Sequence, residues 1–354
     1  MRELKYLTAF ILPVVTFAAL WWPEYLCFAG VIYTFGLIPI LETILRPNPV
    51  NHNEESEPVL LVNRLYDWLL YVMVPVQYGL LGLFLYQTTW GSCSVFQLLG
   101  MTGSMGMCCG SLGINVAHEL GHRTSRFERL LSRLLLLTSL YMHFTIEHNR
   151  GHHKWVATPK DPATARRDES LYRFWRRCIP GVFASAWNLS CIETKNRGRS
   201  VWGPSNEILR FVVIEIVFVA TIGAVIGPVA MLCFLGAALT GILQLECVNY
   251  IEHYGLRRNE TSPGKFERVQ PWHSWNSDHV LGRIMLFELT RHADHHYSAS
   301  RKYQILRHMP DGPQLPVGYP AAMLISLIPS LWFRMMHSRL DFDSPQQPVG
   351  ATVE

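Results

Sequence analysis

Long apolar stretches, separated by short polar ones, dominate the pattern of the chain. Six of them can cross a bilayer as helices, since about 20 consecutive apolar residues span the hydrocarbon core. They cover residues 5–22, 25–45, 68–87, 97–117, 208–227 and 229–250. A proline-rich polar segment follows the second stretch, and Gly227-Pro228 separates the last two. The pattern predicts an all-α polytopic membrane protein made of three helical hairpins.

Two further apolar segments are predicted not to cross. If residues 128–146 crossed the membrane, His118 and His148 would lie on opposite sides and could not share a metal site. Residues 319–336 contain two prolines and end near Arg334. We expect each to be an interfacial or buried helix. The basic start of the chain lacks a small-residue cleavage site, which favours an uncleaved first span over a signal peptide. Residues 1–354 are predicted to form one integral-membrane domain with a disordered tail over 340–354.

Composition and charge indicate on which side of the membrane the loops lie. Hydrophobic residues make up 49% of the chain and charged residues 16%, as in a membrane protein with sizeable aqueous loops. The net charge of +4 comes from basic residues beside the spans. This pattern indicates cytoplasmic loops of an inner-membrane protein and does not suggest nucleic-acid binding. The eight cysteines form no CxxC pair, so we expect reduced thiols and no iron–sulfur or rubredoxin-type centre within the chain.

Histidines carry the candidate chemistry. Nine of the fifteen fall into four tight clusters, and the span count places all four clusters on the cytoplasmic side. Neutral imidazole suits iron, zinc and copper. Nine ligands exceed the roughly four to six that one ion takes, so the clusters predict two metal ions. The candidate ligands are His118, His122, His148, His152, His153, His253, His292, His295 and His296.

Helical spacing suggests how these ligands pair. His118 and His122 lie four residues apart, on one helix face, and His148 and His152 repeat that spacing. His292 is similarly spaced from the two histidines that follow it. Nearby carboxylates are expected to accept hydrogen bonds from imidazole N–H groups outside the metal sphere. These candidates are Glu119, Asp161, Glu252 and Asp294.

The remaining histidines and the acids within spans have less specific interpretations. His273 and His279 are candidate outer residues of the site, whereas His52, His143, His308 and His337 are expected to be ordinary polar side chains. Ionisable groups within a membrane are costly and suggest function. Glu42, Glu215 and Glu246 are therefore candidates to support the site or to pair inside the bundle.

Two other functional classes fit parts of the pattern. HELGH at 118–122 matches the HExxH helix of zinc peptidases, with Glu119 as general base. A catalytic zinc takes three protein ligands, which would leave six histidines without a role. A metal transporter would place its sites near the bilayer midplane, whereas these clusters lie at one face.

Several motifs resemble the membrane-bound non-haem di-iron alkane 1-monooxygenases, within the fatty acid desaturase and hydroxylase superfamily. They are AHELGHR (117–123), EHNRGHHKWVATPKDPAT (147–164), NYIEHYG (249–255), WHSWN (272–276), RHADHH (291–296) and PQLPVGYP (313–320). The resemblance covers about residues 30–335, and NYIEHYG is the most specific motif because desaturases lack it. At the positions of Thr290 and Ala293 this family more often has Gln and Ser. Neither residue is a metal-ligand type, so this difference is expected to affect local hydrogen bonding and substrate range and not metal binding.

The resemblance implies a function and partners. The nine histidines would bind two irons, and the reaction would hydroxylate the terminal methyl of an alkane with O2 and two electrons. Rubredoxin and its NADH-dependent reductase would supply the electrons, and Arg166, Arg167, Arg176 and Arg177 are candidates to dock an acidic donor. Tyr33, Thr34 and Phe35 are candidate lining residues of a substrate channel. A xylene- or cymene-type methyl hydroxylase and a fatty-acyl desaturase or hydroxylase remain alternatives.

Overall fold

The fold is known from a computed structural model that describes residues 3–342. Its six long apolar helices confirm the predicted spans, and each begins or ends within a few residues of the sequence-based limits. Their bounds are Glu3–Trp21, Pro23–Ile44, Leu65–Trp90, Val95–Gly121, Glu207–Ile226 and Pro228–His253. Residues 340–342 of the tail predicted to be disordered belong instead to the helix Pro329–Phe342. The rest of that tail lies outside the described residues.

The fourth span lies at the centre of the bundle. Of its most apolar 18-residue window, 61% is buried, against 17% for the fifth span at the periphery. The first, second, third and sixth spans all pack against the fourth. Glycines make the closest of these contacts: a Cβ at Gly106 would overlap Thr240, and one at Gly241 would overlap Cys109. Small residues at such crossings allow helix backbones to approach closely in a membrane.

Three spans contain a wider, π-helical turn. These turns cover Tyr33–Leu37, Cys109–Ile114 and Ile222–Ile226. A π turn bonds residue i to residue i+5 and rotates the side chains after it relative to a continuous α-helix. Residues of the first two turns line the cavity described below.

Both apolar segments that were predicted not to cross are too short to do so. The helix Arg126–Leu137 has 12 residues, or about 18 Å, whereas the hydrocarbon core is about 30 Å thick. The chain then breaks at Leu140, whose φ is +49°. The other segment is divided into Tyr319–Ser326 and Pro329–Phe342.

A 26-residue helix, Leu171–Asn196, was not predicted from the sequence. Its buried residues, including Leu171, Phe174, Cys178 and Val182, lie on one face and pack against the sixth span. Arginines on its other face and the internal Pro180 interrupt the apolar pattern, so the hydropathy of this segment does not indicate a helix.

The remaining elements are short. The helices are Glu54–Ser56, Glu57–Val62, Phe144–Glu147, His148–His152, His153–Trp155, Pro271–His273, Val280–Met285, His292–Tyr297 and Tyr303–Ile305. Strands β1 (Glu260–Ser262) and β2 (Lys265–Phe266) form one antiparallel hairpin. These loops and short helices cover the ends of the fourth and sixth spans, where the histidines lie.

Candidate metal centre

All nine predicted histidines converge in two adjacent groups at one end of the bundle. Within each group, the candidate ligand atoms all lie within 4.8 Å of one another. Five residues form group A: His118, His122, His148, His153 and His295. Four residues form group B: His152, His253, His292 and His296. The groups adjoin one another, since the ring centroids of His153 and His296 are only 4.6 Å apart.

The spacing of the ring nitrogens fits metal coordination. In group A, the five Nε2 atoms form a ring in which each atom lies 3.0–3.2 Å from its two neighbours. In group B, His292 Nε2 lies 3.2 Å from His253 Nε2 and 2.9 Å from His296 Nε2. Two imidazoles at right angles on one ion, each bonded at about 2.1 Å, are separated by about 3.0 Å. Both groups therefore fit a bound metal, with the Nε2 atoms directed inward.

A π turn explains how the second histidine cluster is divided. The helix His148–His152 is π-helical, so His148 aligns with His153 rather than with His152. His148 and His153 both enter group A, and His152 enters group B. The sequence-based pairing of His148 with His152 is therefore wrong. The pair His118 and His122, in a regular helical turn, does lie together as predicted.

Adjacent histidines elsewhere are divided in the same way. His295 belongs to group A and His296 to group B, since neighbouring side chains point about 100° apart on a helix. His292 joins His296, four residues on, in group B. The segments 148–153 and 292–296 thus each contribute to both groups.

Four of the imidazoles outside the spans are held neutral. Burial, followed by the neighbouring imidazoles, lowers the pKa of His148, His153 and His295 well below the usual value. Burial likewise lowers the pKa of His122 to about 3, with Arg123 contributing. Metal binding requires the neutral ring, so these surroundings favour coordination over protonation.

Asp161 fixes the orientation of His152. Its Oδ2 lies 2.9 Å from His152 Nδ1, while Thr164 donates to the same oxygen at 2.6 Å. Burial lowers the pKa of His152, but the charge and hydrogen bond of Asp161, together with the charges of Glu147 and Glu246, raise it overall. His152 Nε2 is buried without a hydrogen-bond partner among the described residues. This unpaired atom belongs to group B, as expected of a ligand whose other nitrogen is held by a carboxylate.

Glu252 lies beside group B in a different position from the one predicted. Its Oε2 is 3.2 Å from His292 Nε2, the nitrogen directed inward, rather than from the outer ring nitrogen. Tyr319 donates a hydrogen bond to Glu252 Oε1 at 2.7 Å. Tyr319 lies in the PQLPVGYP motif, but the sequence alone gave no role for it.

Glu119 and Asp294 bind cations rather than imidazoles, which corrects their predicted role. Glu119 Oε1 accepts from Arg123 at 2.7 Å and from the backbone N–H of Tyr303 at 3.3 Å. Asp294 lies 3.0 Å from Arg307 Nη2 and 3.2 Å from Arg301 Nε. Because Glu119 is engaged by a guanidinium, it is not free to act as the general base of a zinc peptidase.

The segment Arg301–Arg307 is a connecting strap that the sequence did not reveal. Besides Asp294 and Glu119, it reaches the third span through Lys302, whose Nζ is 3.1 Å from Asp67. It thereby joins the helix of His118 to the helix of His295. In the sequence, the strap is marked only by basic residues that follow the RHADHH motif.

The remaining candidates lie outside both groups. His273 Nδ1 accepts from Gln270 N at 2.9 Å, and His279 Nδ1 is 3.0 Å from Ser277 Oγ. His308 lies 2.7 Å from Asp278, His337 lies 3.0 Å from the Tyr254 hydroxyl, and His143 contacts Tyr141 and Phe183. His52 has interactions of its own in the polar segment after the second span.

The three acids within spans form structural contacts. Glu42 accepts from Gly282 N at 2.8 Å, and Glu215 accepts from Met142 N at 2.8 Å. Glu246 accepts from Tyr141 at 2.5 Å. Each pairs inside the fold, and none belongs to a histidine group.

An apolar cavity inside the bundle extends toward group B. Its wall includes Leu12, Ile38, Met285, Leu289 and Tyr319, and the Tyr319 hydroxyl is the one bonded to Glu252. Of the three predicted channel residues, only Thr34 is in this wall. Tyr33 lies beside it, with its hydroxyl 3.6 Å from Met285 Sδ, and Phe35 packs against the core.

A groove rich in arginine opens next to group A. It contains Arg126, Arg129, Arg133, Arg150, Arg197, Arg199 and Arg210, with Glu193 and Glu207 as its acids. A contiguous pocket shares Arg129, Arg133 and Arg150 and reaches His122. We call the two together the arginine groove. Of the arginines predicted to dock a donor, Arg166, Arg167 and Arg176 are exposed, but Arg177 is committed to Glu169 at 2.8 Å and to two backbone carbonyls.

Comparison with known proteins identifies the family. The fatty acid desaturase profile matches residues 89–311. The chain is 42% identical to alkane 1-monooxygenase 1 of Alcanivorax borkumensis over 303 residues, which is 85% of this chain and 74% of that protein. The alkane 1-monooxygenase of Pseudomonas putida shows the same identity over 301 residues, with the same coverage. The chain belongs to the alkane 1-monooxygenase family.

Membership of this family confirms the resemblance found in the motifs. A more distant similarity, 27% identity over 95% of this chain and 88% of the other, links it to the xylene/toluene monooxygenase hydroxylase component XylM of Pseudomonas putida. The alkane 1-monooxygenase relatives are thus markedly closer than the one named for aromatic methyl substrates.

Proposed function

We propose that this protein hydroxylates the terminal methyl group of alkanes: R–CH3 + O2 + two electrons + two protons give R–CH2OH + H2O. The observation that carries the proposal is the pairing of two imidazole groups with an apolar cavity extending toward one of them. The relatives named alkane 1-monooxygenase support the same reaction.

Two irons are the proposed cofactors, one held by the five histidines of group A and one by the four of group B. Imidazole ligands suit iron, and zinc has no redox chemistry with which to reduce O2. When bound, the irons supply the oxygen activation needed to cleave a strong C–H bond that no acid or base can polarise.

The cavity would position the alkane. Its wall is mostly aliphatic and contains no charged side chain among the described lining residues, so a hydrocarbon can enter from the lipid and displace water. Leu289 lies three residues before His292, and Asn115 three before His118. These two residues are suited to direct a methyl group toward the histidines.

Tyr319 and Glu252 would order the end of the cavity nearest the metals. The Tyr319 hydroxyl proton is held on Glu252 Oε1, which leaves Oε2 directed at the inward nitrogen of His292. Since both side chains are buried, this hydrogen bond restrains the carboxylate without access to solvent.

Rubredoxin and its NADH-dependent reductase are the proposed electron donors. Rather than the four arginines expected from the sequence, the arginine groove is the docking surface we favour, because it reaches His122. Positive charges there would attract an acidic carrier and orient it toward group A.

We further propose that the chain lies in the inner membrane as a single domain, with the histidine groups on the cytoplasmic side. The basic residues near the histidine-bearing ends of the spans support this orientation under the positive-inside rule.

One experiment tests the reaction and its alternatives. Membranes containing the protein are supplied with 18O2, NADH, rubredoxin and reductase, together with octane, hexadecane, xylene or a fatty acid, and products are identified by mass spectrometry. We expect 1-octanol or 1-hexadecanol carrying one 18O atom, and about two irons per chain in the purified protein. A benzylic alcohol alone, an unsaturated fatty acid, or one zinc with peptide cleavage would each replace the proposal by the corresponding alternative.

Two matched variants distinguish loss of the metal site from loss of the fold. His253→Ala removes one nitrogen of group B and should abolish hydroxylation while membrane insertion persists. His308→Ala, outside both groups, should remain active. Full activity of His253→Ala would contradict its role as a ligand.

A further inference from the structure

Two consecutive residues near group B have left-handed backbone conformations. The φ angles of Phe287 and Glu288 are +51° and +59°, and neither residue is glycine. Such conformations are costly for residues with a Cβ and persist only where the surroundings impose them. They are concentrated at active sites, where the strain keeps functional groups in position. We call Phe287 and Glu288 together the strained turn.

The strained turn lies between the apolar cavity and the histidines. Leu286 and Leu289, on either side of it, belong to the cavity wall. The Glu288 carbonyl accepts from Arg291 N at 2.9 Å, and Arg291 immediately precedes the helix His292–Tyr297. That helix carries histidines of both groups. A displacement of the turn would therefore move the cavity wall and these metal ligands together.

The N-terminal helix Glu3–Phe10 supplies contacts that hold the turn. The Tyr6 hydroxyl donates to Glu288 Oε1 at 2.6 Å, and Lys5 Nζ lies 2.8 Å from the same oxygen. The Tyr6 ring also stacks on Phe287, with centroids 5.9 Å apart and an angle of 16° between the planes. One helix thus contacts both residues of the turn, although Tyr6 and Glu288 are 282 residues apart in the chain.

Burial strengthens the contacts made by Glu288. Glu288 and Tyr6 are both buried, so little water competes for the carboxylate. Its second oxygen, Oε2, lies 2.8 Å from Arg283 Nε, and its backbone N–H donates to Arg283 O at 2.7 Å. Hydrogen bonds to a charged oxygen in such surroundings are stronger than those between neutral groups. The bonds from Tyr6 and Lys5 are therefore of the kind that can offset backbone strain.

We propose that Tyr6 and Lys5 are positioning residues for the metal centre. Through Glu288 they hold the strained turn, which sets the place of the helix His292–Tyr297 and of the cavity wall beside it. Neither residue belongs to a histidine group or to the wall of the cavity, so both act only through the turn. Held in this way, the turn presents the terminal methyl of the alkane, and not the next carbon, to the metals. This last effect rests on the proposed hydroxylation.

Amide hydrogen exchange of the purified protein, with its metals bound, tests the positioning directly. Tyr6→Phe removes only the hydroxyl, and exchange of residues 286–292 should become about ten-fold faster, the effect of one lost hydrogen bond to a charged group. Tyr303→Phe is the matched control. Tyr303 also contacts Phe287, but its hydroxyl donates to the Tyr66 carbonyl and not to Glu288. This control should leave the exchange of the segment unchanged.

The products formed from octane give a second readout, with the protein in nanodiscs and the complete donor system. The parent protein should form 1-octanol. Tyr6→Phe should raise the ratio of 2-octanol to 1-octanol about ten-fold, because the same lost bond frees the turn that positions the chain. Tyr303→Phe should keep the parent ratio, since loss of a buried hydroxyl elsewhere in the aromatic cluster does not release Glu288.

Lys5 provides a second pair of variants in case Tyr6→Phe folds poorly. Lys5→Met removes the charged donor and should act in the same direction as Tyr6→Phe, whereas Lys5→Arg should preserve both the exchange and the product ratio.

Several outcomes would overturn the positioning role. One is an unchanged exchange of residues 286–292 in Tyr6→Phe and Lys5→Met, and another is an equal acceleration in Tyr303→Phe. Faster exchange with an unchanged product ratio would show that the turn does not position the substrate, and would overturn it as well. If the parent protein forms no octanol, the proposed function itself fails, while the exchange comparison still decides whether Tyr6 holds the turn.

Discussion

His148 and His153 bring their Nε2 atoms to 3.0 Å from each other although they are five residues apart in the chain. The π turn between them makes this possible, and it leaves His152 to point the other way. A single cluster of three histidines thereby serves both groups. Substitutions at this cluster should affect the two groups separately.

Replacing Asp161 by Asn should weaken metal binding at group B alone. The carboxylate holds His152 Nδ1 at 2.9 Å, and loss of such a partner typically lowers metal affinity 10–100-fold. Chelator competition and Mössbauer spectroscopy should then reveal one weakened iron and one unchanged iron. The exposed Asp168, in the same loop, provides the control variant Asp168→Asn, which should retain both irons. Equal weakening of both irons in Asp161→Asn would refute the five-and-four division.

Removing the cations of the strap should destabilise the fold. Asp294 is fully buried between Arg301 and Arg307, and an uncompensated buried charge costs about 3–5 kcal/mol. The variant carrying both Arg301→Gln and Arg307→Gln should therefore unfold at a clearly lower temperature in detergent. Adding Asp294→Asn should restore part of the loss, because the charge that needs compensation is gone. No recovery in this triple variant would show that the arginines act mainly through their other contacts.

The spans could be predicted because a membrane-crossing helix is recognised from the length and apolar composition of its own segment alone. The helix Leu171–Asn196 was missed because only one of its faces is apolar and Pro180 interrupts the pattern. Its burial depends on the sixth span, a partner that local sequence does not reveal.

The identity of the nine histidines was also predictable, since their clustering is visible in the sequence. Their division between groups was not, because a π turn changes which residues share a face and leaves no clear mark in the spacing. Asp294 pairs with Arg301 and Arg307 of the strap, and Glu119 accepts from the backbone of Tyr303 in the strap as well as from Arg123. The strap comes close to both carboxylates only in the folded chain. Sequence spacing places a carboxylate near an imidazole but does not tell which neighbour it binds.

Charge reversal in the arginine groove should impair reduction by rubredoxin. Arg126 and Arg129 are exposed on the helix Arg126–Leu137, and replacing both by Glu should raise the KM for rubredoxin roughly ten-fold. The effect should shrink at high salt, which screens exposed charges. The matched control reverses Arg166 and Arg176, both exposed but outside the groove. A larger effect in the control than in the groove variant would mean that rubredoxin docks near Arg166 and Arg176, as expected from the sequence, and not at the arginine groove.

Acid should destabilise the metal-free protein. Burial and neighbouring imidazoles lower the pKa of His148, His153 and His295 far below the value of about 6.5 expected in an unfolded chain. Well above pH 6.5 these rings are neutral in both states, so they cause little pH dependence. Below it the unfolded chain binds protons that the folded chain does not, and stability falls. For His122 this loss continues down to its folded pKa of about 3.

The unfolding temperature of the metal-free protein should therefore be nearly constant from pH 8 to 7 and should decrease from pH 6.5 to 5. His152 contributes in the opposite direction, because Asp161 raises its pKa despite burial, but it is one ring against several. Bound iron should reduce the slope, since it occupies the nitrogens that protons would otherwise take. His122→Gln should reduce it as well, by removing one such group. An unfolding temperature that rose between pH 6.5 and 5 would mean that the rings are charged in the folded protein, which is incompatible with nine inward-facing metal ligands.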